Sequence, residues 1–254
     1  MSAAASLVAD FSVDLPADRA GGMATTVHAR LDLPGGGVTI LFGPSGCGKT
    51  TVLRCLAGLT RLSRGRIALG ERCWSDAATG IHLAPRERDV GMLSQEGALF
   101  PWLDVAGNVG FGLARRPAAE RERRVREVLL RYEIGDLATR RPATLSGGQR
   151  QRVALARALA RPCRVCLLDE PLSALDAGSR ARLRPRLRDE LLAAGVPAVV
   201  VTHDPVEARA LGDAIVVMDQ GRVLQAGPVE EVVRDPLDAR VASIVRGEGG
   251  GGPG

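Results

Sequence analysis

Lysine is almost missing from this 254-residue chain: of 34 basic residues one is lysine, Lys49, and the others are arginine. Where arginine serves every ordinary need for positive charge, the exception marks a place that wants a compact ammonium rather than a planar guanidinium. Aromatic residues are scarce too, at 3%. That leaves no platform on which bases could stack, so the net charge of +5 does not read as a nucleic-acid surface. The arginines are spread along the chain and densest at residues 115–126, which reads as a solvated helix face with a minor attraction to anionic lipid.

Long apolar runs are missing as well. None approaches the roughly 18 to 20 residues that span a bilayer, and the runs at 165–168 and 198–201 are cut short by charge or polarity. The first residues lack a basic n-region and carry Asp10 and Asp14 early, unlike a secretory leader. Five cysteines, an odd number, point to reduced thiols and a cytoplasmic setting. Cys163 and Cys166 form a Cys-x-x-Cys pair, but the second lies in an apolar run ending in acid, which reads as a buried strand rather than a redox or metal site. What is present, 45% hydrophobic and 25% charged, is the balance of a folded chain long enough for one large domain or two small ones.

Lys49 sits in Gly43-Pro-Ser-Gly-Cys-Gly-Lys-Thr50, which matches GxxxxGK[ST]. The β-branched run at 38–42 precedes it and an apolar-spaced helix at 49–57 follows, the order that motif requires. Gly43, Gly46 and Gly48 let the backbone fold into a nest of amides facing phosphate oxygens, and the helix adds its positive end. Lys49 then serves the β and γ phosphates and the Thr50 hydroxyl a Mg²⁺ ion. Further on, Val165-Cys-Leu-Leu-Asp169-Glu170 reads as a buried strand ending in two acids, with Asp169 placed for Mg²⁺ and Glu170 for an attacking water. Leu145-Ser-Gly-Gly-Gln149 opens a second helix, so Ser146, Gly147 and Gly148 offer a second anion site. One nucleotide has one γ-phosphate, and two such sites invite the idea that the second serves another subunit.

With these motifs in this order, the chain resembles the nucleotide-binding subunit of an ABC transporter. The loop at 43–50, the Leu145–Gln149 signature, the strand ending in Asp169 and Glu170, Ser173-Ala-Leu-Asp176, Gln95, and His203 in Val-Val-Val-Thr-His-Asp204 all match, over residues 5–245. The resemblance implies an α/β fold: a P-loop NTPase (RecA-like) core with a mostly parallel sheet, a small antiparallel part and an inserted α-helical subdomain. It implies ATP and Mg²⁺ as cofactors, bound by Gly43, Pro44, Ser45, Gly46, Cys47, Gly48, Lys49, Thr50 and Thr51, with Thr50, Gln95 and Asp169 at the metal. Ser146, Gly147, Gly148, Gln149 and Asp176 would meet the nucleotide of a partner in a head-to-tail homodimer. Catalysis would rest on Glu170, His203, Lys49 and Gln95, with His203 against the γ-phosphate and Gln95 sensing metal and water. His28 and His82 lack such a context. The family stacks adenine on an aromatic residue before the loop, where only Phe11 stands, in an alternating pattern that equally suits core packing.

Strands are expected at 7–13, 27–31, 38–42, 67–69, 90–93, 165–169, 198–202 and 214–218, and helices at 49–57, 121–132, 147–160, 179–194 and 206–211. The nucleotide-binding unit would cover 1–246, with the core at 1–95 and 146–246, a strand-free helical subdomain at 96–145, and a disordered Gly-rich tail at 247–254. With no membrane segment of its own, the subunit would borrow an integral-membrane permease, docked on the apolar cluster Ala98-Leu-Phe-Pro-Trp102, and through it an extracytoplasmic solute-binding protein. It would lie on the cytoplasmic face of the membrane. The stretch from Asp76 to Gly91 is similar to molybdate importers, and 98–113 also to ferric-iron, thiamine and polyamine importers. A soluble relative acting on ribosomes or nucleic acid would show two such units or an added module, and neither is visible; an inactive regulatory unit would have lost Glu170 or His203.

Overall fold

The structure is a computed structural model that describes residues 5–16, 25–95 and 97–247. The chain runs through β1 (Leu7–Leu15), β2 (Thr25–Leu33), β3 (Val38–Phe42), α1 (Lys49–Ala57), β4 (Arg64–Leu69), β5 (Arg72–Asp76), β6 (Ile81–His82), α2 (Pro85–Arg88) and β7 (Val90–Leu93). Then follow α3 (Val105–Gly110), α4 (Ala118–Arg131), α5 (Gly147–Leu159), β8 (Val165–Asp169), α6 (Ala177–Ala194), β9 (Ala198–Thr202), α7 (Pro205–Leu211), β10 (Ala214–Asp219), β11 (Arg222–Pro228), α8 (Val229–Arg234) and α9 (Ala239–Arg246).

Two sheets result. The larger has the order β11-β10-β3-β9-β8-β7, parallel throughout except for the β10–β11 hairpin. In β3, β8 and β9 every residue is buried, as continuous apolar runs must be when both faces of a parallel sheet are covered. The smaller sheet, β2-β1-β4-β5-β6, is antiparallel, and β1 alternates so that Leu7, Ala9, Phe11 and Val13 turn inward. Alternation along the parallel strands splits the core in two. Leu41, Leu167, Val199 and Val201 face the antiparallel sheet with Val52, Leu53 and Leu56 of α1 between, while Ile40, Leu168 and Val200 face the side of α5, α6 and α7.

The α/β reading with a mostly parallel sheet therefore holds, and each expected strand is present. The antiparallel part is larger than expected, because β5 and β6 bury only Trp74 as a large apolar residue, with Ile81 exposed, and give no periodic signal. Residues 97–145 hold α3, α4 and three short 3-10 turns, with no strand. Helix α3, six residues long, is too short to show a helical period; its start is fixed by Asp104, whose side chain accepts from the Gly107 amide at 2.7 Å. The anticipated tail lies outside the described residues apart from Gly247, which ends α9 with a left-handed φ of 75°.

A buried arginine holds the end of α1. Arg88 is fully buried, and its guanidinium donates to the carbonyls of Cys55 (2.8 Å), Leu56 (2.9 Å), Leu83 (2.9 Å) and Trp74 (3.3 Å) and to Ser75 Oγ (2.6 Å). Burial lowers its pKa to about 10. A cation against the last carbonyls of a helix complements the negative end, which ties α1 to the antiparallel sheet. Gly58, the C-cap, must be glycine twice over: its φ is 79°, and a Cβ would stand 2.6 Å from Arg88 Nε.

Candidate functional site

The site gathers at the C-terminal ends of β3, β9 and β8, three neighbours in the parallel sheet. After Phe42 the chain turns through Gly43–Gly48 into α1, and the backbone demands the glycines: φ is 156° at Gly43, 78° at Gly46 and 106° at Gly48. Space demands two of them as well. A Cβ on Gly43 would lie 2.2 Å from the Met218 carbonyl, and one on Gly48 2.9 Å from Val27. The Cys47 thiol turns into the core, where burial raises its pKa first of all, so the loop offers this residue's backbone rather than its side chain. Pro44, Ser45, Gly46 and Thr50 reach the surface, and Thr51 is half-buried at the first turn of α1.

Lys49 is 7% exposed, and its ammonium donates to the carbonyls of Gly43 and Pro44, each at 2.8 Å. It is folded back on its own loop, held where phosphates entering the loop would meet it. Thr50 Oγ1 donates to Asp169 Oδ2 at 2.8 Å. Asp169, 1% exposed at the end of β8, is pushed up by burial, an effect that the neighbouring Glu170 reinforces and the Thr50 bond and Lys49 oppose. A buried carboxylate beside a hydroxyl is a hard oxygen pair of the kind that suits Mg²⁺.

Glu170 has a left-handed backbone, φ 48°, unusual for a residue with a Cβ and a form of strain that gathers at functional sites. Four bonds hold that turn: its amide donates to Val201 O at 3.0 Å, and its carbonyl accepts from Gln151 Nε2 at 2.8 Å, Ser173 Oγ at 3.0 Å and the Ser173 amide at 3.3 Å. The carboxylate meets His203 Nδ1 at 3.1 Å. His203 follows β9 and is well exposed. Asp204 beside it caps α7 through the amides of Val206 and Glu207 and pairs with Arg180 at 3.5 Å. A cavity of about 370 Å³ lies at the mouth of the loop, with Phe42, Gly43, Pro44, Ser45, His203 and Arg240 among its walls.

Lys49, Thr50, Asp169, Glu170 and His203 are thus brought together. The signature is not among them. Ser146 caps α5, its Oγ accepting from the Gln149 amide at 3.2 Å while Gln149 Oε1 accepts from the Ser146 amide at 2.9 Å. Ser146 and Gly147 are exposed, Gly148 and Gln149 partly so, and none of the four lines the cavity at the loop. Asp176 is exposed and caps α6 by accepting from the Ser179 amide at 2.9 Å, the bond that most lowers its pKa. Gln95 lies in an exposed turn past β7, and none of the described residues is bonded to its side chain. Phe11 is 4% exposed within the antiparallel-sheet core, so packing accounts for it.

Gln151 was not anticipated. Only 6% exposed, it is a polar residue on the buried face of α5, and that mismatch between residue type and helical position was the signal available in the sequence.

The ABC transporter family profile matches residues 27–173. The chain belongs to the ABC transporter family. Among relatives of this ABC chain, the trehalose/maltose import ATP-binding protein MalK of Thermococcus litoralis is 46% identical over 85% of the chain and 58% of the relative. The Fe(3+) ions import ATP-binding protein FbpC of Pseudomonas fluorescens is 46% identical over 87% and 62%, and the molybdenum import ATP-binding protein ModC of Pseudomonas savastanoi is 44% identical over 82% and 58%. The chain spans about three fifths of the length of these relatives. A solved ATP-binding cassette, a dimer in a post-hydrolysis state with ADP and Pi, superposes with a TM-score of 0.75 at 28% identity, covering 88% of this chain and 98% of that one.

Proposed function

We propose that this chain is the ATP-hydrolysing subunit of an importer, working as a homodimer on the cytoplasmic face of a membrane beneath permease subunits and, indirectly, an extracytoplasmic solute-binding protein. The observation that carries the reading is the convergence of Lys49, Thr50, Asp169, Glu170 and His203 at three adjacent strand ends, through the Thr50–Asp169 and Glu170–His203 bonds. That no helix among the described residues is long and apolar enough to cross a membrane agrees with a need for membrane partners.

The loop amides and the α1 dipole receive the phosphates, and Lys49 exchanges its two carbonyl partners for phosphate oxygens. Thr50 and Asp169, joined by Gln95 from its turn, would hold Mg²⁺, which when bound would offset phosphate charge. Glu170 aligns the attacking water and accepts its proton, while His203, steadied by the same carboxylate, meets the charge developing on the γ-phosphate. Ser146, Gly147 and Asp176 stand exposed and Gly148 and Gln149 partly so, available to close over the nucleotide of the second subunit. Residues 96–145 form the helical subdomain between the core segments 1–95 and 146–246. Its docking surface centres on Phe100, packed between Trp102 and Phe111 at centroid distances of 5.3 and 4.3 Å, with Trp102 and Phe111 well exposed. Phe111 continues into an apolar groove of about 770 Å³ between α3 and α4, which suits a short permease helix.

For the solute, molybdate or a related oxyanion is favoured by the likeness of 76–91, and relatives that name molybdenum import support it. Relatives that name ferric iron are as similar, so a ferric-iron importer is the second reading. The test is made on the chain assembled with its permease. Glu170→Gln should bind ATP as before while turnover falls by roughly 10²-fold or more, because only a transition-state interaction is removed. Unchanged turnover would remove Glu170 from its role. Uptake of molybdate against ferric iron in cells lacking the chain decides the solute.

A further inference from the structure

Cys163 and Cys166 take no part in the nucleotide site, yet their Sγ atoms lie 3.3 Å apart in a thiol–thiol hydrogen bond. Cys163 stands in the loop before β8 and is partly exposed; Cys166, the second residue of the strand, is 1% exposed. A cavity of about 380 Å³ opens onto the pair, with Arg124, Arg131, Arg161 and Glu190 on its walls. Room for the outer thiol comes from Gly91 of β7, where a Cβ would stand 3.0 Å from Cys163 Sγ. The φ of Gly91 is not in the left-handed region, so the glycine there answers a need for space rather than for backbone freedom.

We propose that Cys163 and Cys166 are an oxidisable dithiol, closed to a disulfide by a hydroperoxide that enters the arginine-lined cavity. The two thiols are unequal in the way such a pair requires. Cys163 is lowered by the hydrogen bond from Cys166, with help from the Gly91 amide and the Arg161 charge, against burial and Asp89. Cys166 is raised by that same bond and by burial. Cys163 is therefore the attacking sulfur and Cys166 the resolving one. In the first step the Cys163 thiolate attacks the distal oxygen, the O–O bond breaks, a sulfenic acid forms, and the departing alkoxide or hydroxide takes up a proton. In the second, the Cys166 sulfur attacks the sulfenic sulfur, the S–O bond breaks, and the Cys166 proton leaves with the hydroxyl as water. Two electrons pass from the thiols to the peroxide. The sulfurs need only close from 3.3 Å to the bonded distance of about 2.05 Å.

No other cysteine is so placed: Cys47 and Cys55 are buried, and Cys73, partly exposed, donates to the Ser75 carbonyl at 3.6 Å. Cys73 is thus an internal control. The test treats the full chain with hydrogen peroxide and follows tryptic peptides, because cleavage after Arg164 separates the two cysteines and a disulfide rejoins peptides 158–164 and 165–180. The joined pair should appear roughly tenfold or more faster than Cys73 is oxidised, with the loss of two thiols of five. Cys166→Ser should leave a sulfenic acid on Cys163 that a dione reagent traps. Joined peptides that form no faster than Cys73 oxidises, or both thiols remaining alkylatable after peroxide, would overturn the proposal on the wild-type chain alone.

Discussion

The N-termini of α1 and α5 are both anion-facing helix ends in the proposed mechanism, and the structure equips them differently. Neither has an acidic residue in its first turn, so both keep their positive end uncompensated. At α1 the cap is Gly48, which brings no side chain of its own, and the neighbours Lys49 and Thr50 are bonded to the loop carbonyls and to Asp169. At α5 the cap is Ser146, reciprocally bonded to Gln149, and the end is exposed, with the Arg150 guanidinium turned back to donate to the Leu145 carbonyl at 2.6 Å. The first is a cradle complete in one chain. The second is a helix end already stabilised by its own capping box, with the amides of Gly147 and Gly148 and the Ser146 hydroxyl proton still free to donate. A site that is stable while half-built is what a two-chain active site needs from each chain.

The largest effect should come from separating the two ends onto different chains. Lys49→Ala damages the cradle and Ser146→Arg blocks the exposed end, so either variant alone should hydrolyse almost no ATP. Mixed, they form heterodimers in which one composite site has both ends intact, and a 1:1 mixture should regain about a quarter of the intact sites of the wild type. A mixture no more active than its components would mean that the α5 end serves its own chain.

Much of this contrast is legible in the sequence. Glycines at 43, 46 and 48 announced a nest of backbone amides, and Ser146, Gly147 and Gly148 announced a helix N-terminus open to an anion; the reciprocal bond between Ser146 and Gln149 is what the structure adds. The parallel strands were legible because burial on both faces leaves an unbroken apolar run, as at 165–168 and 198–201. What stayed hidden depends on contacts distant in sequence. Arg88 is one arginine among 33 until three segments present carbonyls or a hydroxyl to it. Cys166 is packed in a buried strand as its apolar run indicates, but the sequence shows neither the cavity beside the pair nor the space that Gly91 leaves for Cys163.

Gln151 links the two regions, and its loss should give an intermediate effect. It projects from the buried face of α5 and donates to the carbonyl of Glu170, a residue whose left-handed backbone needs outside support. Gln151→Leu keeps the volume roughly and removes the donor. The expected result is a fall in kcat of roughly tenfold with little change in KM for ATP, since ground-state binding rests on α1 and its loop. An unchanged kcat would show that the Val201 and Ser173 bonds hold Glu170 without help from α5.

The smallest effect concerns what the complete cradle costs the empty protein. Burial raises the pKa of Asp169 in the fold, so its negative charge disfavours the folded state, and the penalty grows as pH rises through the folded value. Below the unfolded value the carboxyl is neutral in both states and the penalty is absent. Asp169→Asn keeps an oxygen to accept from Thr50 and removes the charge, so without nucleotide it should melt about 2 °C above the wild type at pH 8. The gap should close towards pH 4, while Mg²⁺-dependent ATP binding is lost. Ser146, with no buried charge beside it, offers a control: Ser146→Ala should lower the melting temperature by losing a cap, by the same amount at both pH values. A wild type whose melting point tracked that of Asp169→Asn across the range would show that Asp169 carries no penalty, and that the two helix ends differ in geometry alone.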